Sequence, residues 1–255
     1  MKMTYLIIGL LIIGGLVFYL TSCKSKSVEN SSEQTVIKND SIKKVPQQFI
    51  DLLFAEQTIK EINKTSSGQP TDPNSVWGKF QAVEKLESEN KTDEAKKILK
   101  EIANDKHSEA RTIVWAWNGL RELGETSTTP KVLGLILEVP QQNTTEYLAM
   151  YSDGTARYIN YTGSVAVWET HDNEMDKLLL DITSKAQKFV EKEKLSNGRN
   201  KSITDKVRFN FLTTSGILQI EKTFDELTGQ QTDIGEIFMT STQVLTLIVN
   251  SGVKK

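Results

Sequence analysis

The chain has one cysteine, Cys23, and two histidines, His107 and His171, in 255 residues. A single cysteine excludes an intramolecular disulfide and a thiolate metal cluster. Two histidines so far apart give no His-rich metal site. Charge of one sign is also missing: 31 basic residues face 33 acidic ones, for a formal charge of −2. The sequence therefore lacks the basic footprint of a nucleic-acid-binding surface. It has no GxxxxGK[ST] phosphate loop and no GxGxxG, GxSxG or HExxH motif, so no cofactor, metal or familiar catalytic arrangement is implied. What is present is ordinary: 38% hydrophobic and 25% charged residues, enough for a packed core in one large domain or two small ones.

Residues 1–26 read MKMTYLIIGLLIIGGLVFYLTSCKSK. Lys2 forms a short positive region ahead of an uncharged, mostly apolar run from Leu6 to Leu20. That run is short for a spanning helix, which needs about 20 residues, and suits a secretory signal. It ends in Leu20-Thr21-Ser22-Cys23, which resembles the lipobox of bacterial lipoproteins: an aliphatic residue, two small ones, then cysteine. The resemblance covers residues 1–23. It implies cleavage before Cys23, acylation of its thiol and a lipid anchor in the bacterial envelope. Two or three acyl chains anchor stably where one does not. An uncleaved signal anchor is the alternative. Lys24 and Lys26, following the apolar run, would then favour a cytoplasmic body. Residues 23–46 are rich in Ser, Lys, Asn and Glu, without aromatics or sustained period, and read as a solvated tether.

Residues 47–125 read as helical. Phe49, Leu52, Leu53, Ile59 and Ile62 share one face of a helix running from Gln47 to Asn63. After a loop holding two prolines, Val76, Phe80, Val83 and Leu86 form a second stripe, with Trp77 beside it. Thr92 is the expected cap of a third helix carrying Ala95, Ile98, Leu99 and Ile102. A fourth carries Ile113, Val114, Trp117 and Leu120 and ends near Gly124. Trp77 and Phe80, then Ala95, Leu99 and Ile102, resemble a tetratricopeptide unit. Gln81 stands where that repeat has a small residue, and no second copy follows, so helical hairpins are the better reading. Trp115 and Trp117 point to different helix faces, and packing is the role expected of both.

Residues 131–252 read as an α+β domain. Val132 to Val139 is a nearly continuous apolar strand ended by Pro140. Tyr147 to Tyr151 and Ala156 to Tyr161 flank Asp153-Gly154, the signature of a two-residue type I′ hairpin. That turn pairs Met150 with Arg157, Leu148 with Ile159, Ala149 with Tyr158 and Tyr147 with Asn160. Tyr147, Tyr151 and Tyr158 then share a face. Tyrosines are common at interfaces, so these three are the candidate binding residues, unless a helix covers that face. Arg157 would need a carboxylate, Glu138 or Glu169. Val165 to Trp168 is a fourth strand. A helix capped by Asp172 or Thr170 carries Met175, Leu178, Leu179, Ile182, Ala186, Phe189 and Val190. Val207, Phe209 and Phe211 alternate with Arg208 and Asn210, the pattern of a half-buried strand. A return strand from Ile217 to Glu221 follows, then a segment of ambiguous structure, then a final helix with Ile234, Ile237, Phe238, Val244, Leu245 and Ile248.

The fold expected is therefore α+β, with N-terminal helical hairpins followed by an antiparallel sheet with helices packed on one face. The element order is loosely similar to profilin or longin-type modules, a likeness of fold that carries no function. The stretches WNGLRELG, VLGLILEV, SDGTARYINYTG and VWE resemble a group of bacterial proteins with no known activity, over roughly Ser108 to the C-terminus.

These features lead to a membrane-attached, non-enzymatic binding or scaffolding protein of the bacterial envelope, with a protein partner. One alternative is a membrane-attached hydrolase or transferase in which His171 and the adjoining Asp172 and Glu174 act, although polar residues there also cap a helix. Another is an immunity-type protein that blocks a toxin at the membrane.

Overall fold

A computed structural model describes residues 45–66, 72–141, 144–169, 172–202, 204–229 and 231–252. The lipobox, most of the tether, Thr170 and His171 lie outside them. The helical region consists of α1 (Gln47–Phe54), α2 (Ile59–Ser66), α3 (Val76–Ser88), α4 (Thr92–Asn104) and α5 (Ala110–Glu122). Four strands follow: β1 (Val132–Gln141), β2 (Thr144–Tyr151), β3 (Ala156–Ile159) and β4 (Val165–Trp168). Then come α6 (Asn173–Lys192), β5 (Ser196–Asn197), β6 (Val207–Thr213), β7 (Gly216–Lys222), α7 (Phe224–Thr228) and α8 (Asp233–Gly252).

The strands form one antiparallel sheet in the order β4-β3-β2-β1-β6-β7-β5. The class is α+β. The C-terminal helices α6 and α8 pack on one face, with Met175, Leu179, Ile182, Phe189, Ile237 and Phe238 meeting Leu135, Leu137, Phe209 and Phe211. The N-terminal helices cover the opposite face. Phe54, Phe80, Leu99, Val114 and Leu120 share a core there with Ile136, Ala149, Tyr151 and Leu212.

β1 serves both layers by alternation of its side chains, and a bulge shifts the phase of that alternation near its start. Val132 pairs with Thr213 but Gly134 pairs with Leu212, which leaves Leu133 as an extra residue. An extra residue resets the alternation of side chains. Leu133 and Ile136 therefore enter the helical layer, while Val132, Leu135 and Leu137 enter the other. The strand runs through Pro140, which pairs with Thr145. It does so beyond Glu138, the last β1 residue paired with β6, and proline is tolerated where one neighbour is missing.

The expected helix from Gln47 to Asn63 is two helices. Ala55 takes a left-handed conformation at φ 50° and ends α1. The Glu61 carboxylate then accepts from the Thr58 amide at 2.8 Å, and Thr58 Oγ1 accepts from the Glu61 amide at 3.3 Å. That reciprocal pair is a capping box and starts a new helix. At α4 the cap position is Lys91, without a side-chain cap, and Thr92 is already helical. At α6 the cap is Asp172, whose carboxylate accepts from the Glu174 and Met175 amides. The segment of ambiguous structure forms α7, begun by a capping box between Thr223 and Glu226.

Candidate functional site

The hairpin register decides where the candidate tyrosines go. The Tyr151 amide donates to the Thr155 carbonyl at 2.9 Å, and the Gly154 amide donates to the Tyr151 carbonyl at 3.2 Å. Gly154 is at φ +84° and Asp153 is not in the positive-φ region. The loop is thus the three residues Ser152-Asp153-Gly154, a turn closed by a left-handed glycine, and not the expected type I′ pair. The difference is one residue of register, which moves a whole strand to the other face. β2 and β3 pair Tyr147 with Ile159, Leu148 with Tyr158 and Ala149 with Arg157.

The three tyrosines therefore do not share a face. Tyr151 is fully buried under the N-terminal helices, and its hydroxyl donates to the Leu53 carbonyl of α1 at 2.7 Å. Burial raises the Tyr151 hydroxyl well above the ordinary phenol value. Tyr147 packs partly buried against the same core; burial, then the Glu138 carboxylate, raises its pKa. Tyr158 turns to the opposite face and packs against the C-terminal layer. There it meets Glu146, a carboxylate that is 7% exposed. Burial raises the Glu146 pKa, opposed by hydrogen bonds from the Tyr161 amide and from Tyr158. Burial also raises the Tyr158 hydroxyl, with the Glu146 carboxylate next in effect.

Arg157 lies on the face of the N-terminal helices, paired with Ala149. It meets Glu169 at 2.6 Å, one of the two carboxylates the sequence offered. Glu138, the other, belongs to a different group. β6 was expected to be half-buried, yet Arg208 is 1% and Asn210 0% exposed, because α1 and its neighbours cover that face. Arg208 bonds Glu138 at 3.2 Å, Glu221 at 2.7 Å and the Ser202 carbonyl at 2.9 Å. Asn210 donates to the other oxygen of Glu138 at 3.0 Å and accepts from Gln219 at 2.6 Å. Arg199, from the polar loop after α6, lies over the Phe54 ring with its guanidinium carbon 3.5 Å from the centroid and bonds Glu56 at 2.8 Å. Arg208, Asn210 and Glu138 are hydrogen-bonded within the protein, while the buried Nε of Arg199 makes no hydrogen bond and lies 3.5 Å from Glu138. The cluster fastens α1 to the sheet, a positioning role that single-strand alternation does not reveal.

A cleft of about 300 Å³ opens on the N-terminal layer, lined by Asn74, Trp77, Lys79, Asp105, His107 and Thr112. Trp77 is 40% exposed, with its ring 5.9 Å from the buried Trp115 and 6.2 Å from Phe80. Ser75 places it: its hydroxyl caps α3 by accepting from the Gly78 amide. Trp115 donates to Gln57 at 3.3 Å and Trp117 packs partly buried against the core, the packing roles expected of both. The Asp105 carboxylate accepts from the His107 amide and the Ser108 hydroxyl, which lowers its pKa.

Among the described residues no group of three or more His, Cys, Asp or Glu is placed to hold a metal ion. No described helix is long and apolar enough to cross a membrane. No protein-family model, no curated protein and no solved structure matches the chain.

Proposed function

We propose that this chain is a lipid-anchored, non-enzymatic binding protein of the bacterial envelope. The observation that carries the reading is Leu20-Thr21-Ser22-Cys23, with the chain's only cysteine at the acylation position. A stretch of polar composition follows, and α1 is the first element among the described residues. A body held this way works by contact at a membrane surface. Its contact surface is the cleft at Trp77, where an amphipathic ring is half exposed beside polar side chains. Such rings supply large contact area with a polar edge. This replaces the tyrosine trio as the contact surface, since Tyr151 is core.

The enzymatic alternative loses one of its acidic residues, because Asp172, the neighbour of His171, is committed to capping α6.

Metabolic palmitate labelling of the wild type and Cys23→Ser tests the anchor, together with protease accessibility in whole and lysed cells. The expected result is label on the wild type, none on the variant. Absence of label on both, with the body cut only after lysis, overturns the proposal in favour of a plain anchor and a cytoplasmic body.

A further inference from the structure

The two edges of the sheet are unlike. One ends in β5, two exposed polar residues, Ser196 and Asn197. Among the described residues the other ends in β4, Val165-Ala166-Val167-Trp168, with no charge and no proline. Long or apolar open edges recruit further strands, and proteins commonly blunt them with charge, proline or brevity. Of these devices β4 has brevity alone.

Its backbone phase can be read from the turn before it. The Asn160 amide donates to the Ser164 carbonyl at 3.0 Å, so that pair belongs to the hydrogen-bonded class. Alternation along an antiparallel ladder then places Tyr158–Ala166 and Ala156–Trp168 in the same class. Ile159–Val165 and Arg157–Val167 fall in the other class. The amides and carbonyls of Val165 and Val167 therefore point away from β3, toward the open edge. The same two residues carry exposed side chains, 56% and 55%, because the N-terminal helices stop short of β4. Ala166 and Trp168 turn instead to the C-terminal layer.

We infer that β4 pairs with β4 of a second copy of this chain, antiparallel about a two-fold axis through Ala166. The strand is complementary to itself in that register. Val165 of one copy stands opposite Val167 of the other, and both present outward backbone groups, so each of the two symmetric pairs exchanges two hydrogen bonds. Cross-strand partners share a face, so the four valines form one apolar cluster. No charged side chain of β4 opposes the approach. The contact is isologous and closes at a dimer, joining two seven-stranded sheets edge to edge.

Its size determines where it operates. Four residues of edge bury far less than the roughly 800 Å² per partner of a standard stable interface. The pairing is weak in dilute solution and becomes populated where copies are concentrated. Anchoring on one membrane does that, and this step rests on the proposal above.

The experiment uses the full chain in membranes of expressing cells and a bis-maleimide cross-linker spanning about 8 Å. That span is the diagonal separation expected across neighbouring antiparallel strands. Val167→Cys should add a dimer band above the background of the chain carrying Cys23 alone, and Val165→Lys added to it should remove that band. Leu180→Cys, exposed on α6, should add none. Three results overturn the pairing: no added dimer, a dimer insensitive to Val165→Lys, or a product joined to a different polypeptide. The same variants in a Cys23→Ser, detergent-solubilised chain separate the two ideas. A Val165→Lys-sensitive dimer that returns at high protein concentration upholds the edge contact even if the lipid anchor fails.

Discussion

Asp153, at the tip of the β2–β3 hairpin, accepts a hydrogen bond from the backbone amide of Ala110, the first residue of α5, at 2.7 Å. The Glu109 side chain at the cap position makes no such bond. A residue 43 positions away in sequence therefore caps the helix, and a carboxylate at a helix N-terminus also meets the favourable end of its dipole. The same side chain accepts from the Thr155 amide and hydroxyl, so it holds the turn and the helix together.

Replacing Asp153 with Ala should cost about 0.5–2 kcal/mol, the range for losing a cap. Asp153→Asn keeps an oxygen acceptor and should lose a smaller part. Urea denaturation of the three chains measures the difference. A loss within error for Asp153→Ala would show that the long-range cap contributes nothing.

Tyr151 separates a hydrogen bond from a volume. Tyr151→Phe removes only the bond to the Leu53 carbonyl and should cost about 1 kcal/mol. Tyr151→Ala empties a fully buried site and should cost about 3–5 kcal/mol. Equal losses for the two variants, read from denaturant midpoints, would contradict the packing described.

The approach of Gly134 to Tyr151 gives a third test. A Cβ at Gly134 would lie 2.9 Å from Cδ1 of the Tyr151 ring and 3.2 Å from the Met150 carbonyl oxygen. Gly134→Ala should therefore destabilise by about 1–3 kcal/mol through overpacking. Combining it with Tyr151→Ala should recover part of the loss, because the ring is what the methyl group meets. A double-mutant cycle showing simple additivity would sink this account.

The buried group around Glu138 and Arg208 predicts an asymmetry. Removing one partner of a buried ion pair strands the other and costs about 3–5 kcal/mol, whereas replacing both with apolar residues is often far milder. Arg208→Met alone should be severe, leaving Glu221 without its cation and Glu138 with only Arg199 at 3.5 Å. Adding Glu138→Met should restore stability. Thermal unfolding of single and double variants decides it, and a double variant worse than either single one would refute the idea.

Glu146 predicts a pH dependence. Its folded pKa is raised by burial, so the folded chain holds this proton more tightly than the unfolded chain. By linkage, its contribution to stability falls as pH rises from the unfolded value through the folded one. Relative to wild type, Glu146→Gln should therefore gain stability on going from about pH 4 to about pH 7. Denaturant midpoints of both proteins across that range supply the check. Parallel curves would contradict the raised value.

Much of this was legible locally. The stripe from Met175 to Val190 is the buried face of α6, because helical periodicity records which side meets a core. Asp172 was recognisable as a cap because capping is chemistry within three residues. The hairpin was legible as a hairpin, but its register was not. Asp-Gly fits both a two-residue and a three-residue loop, and the choice falls to Asp153, whose carboxylate holds Thr155 on one side and Ala110 on the other. Arg208 and Asn210 looked solvated because alternation within one strand reports polarity and not what lies above it. The N-terminal layer that buries them is contributed by helices far earlier in the chain.

The sequence by itself determined the α+β class, the positions of most helices and strands, and the presence of a lipobox-like stretch ahead of the body, since periodicity, caps and short motifs are written in neighbouring residues. Only the tertiary structure decided that helices cover both faces of the sheet, that the tyrosines divide between those faces, and that Val165 and Val167 stay exposed at an open edge. The reason is physical: burial and strand partnership depend on groups distant in the chain, and one residue of register inverts which side chains they enclose.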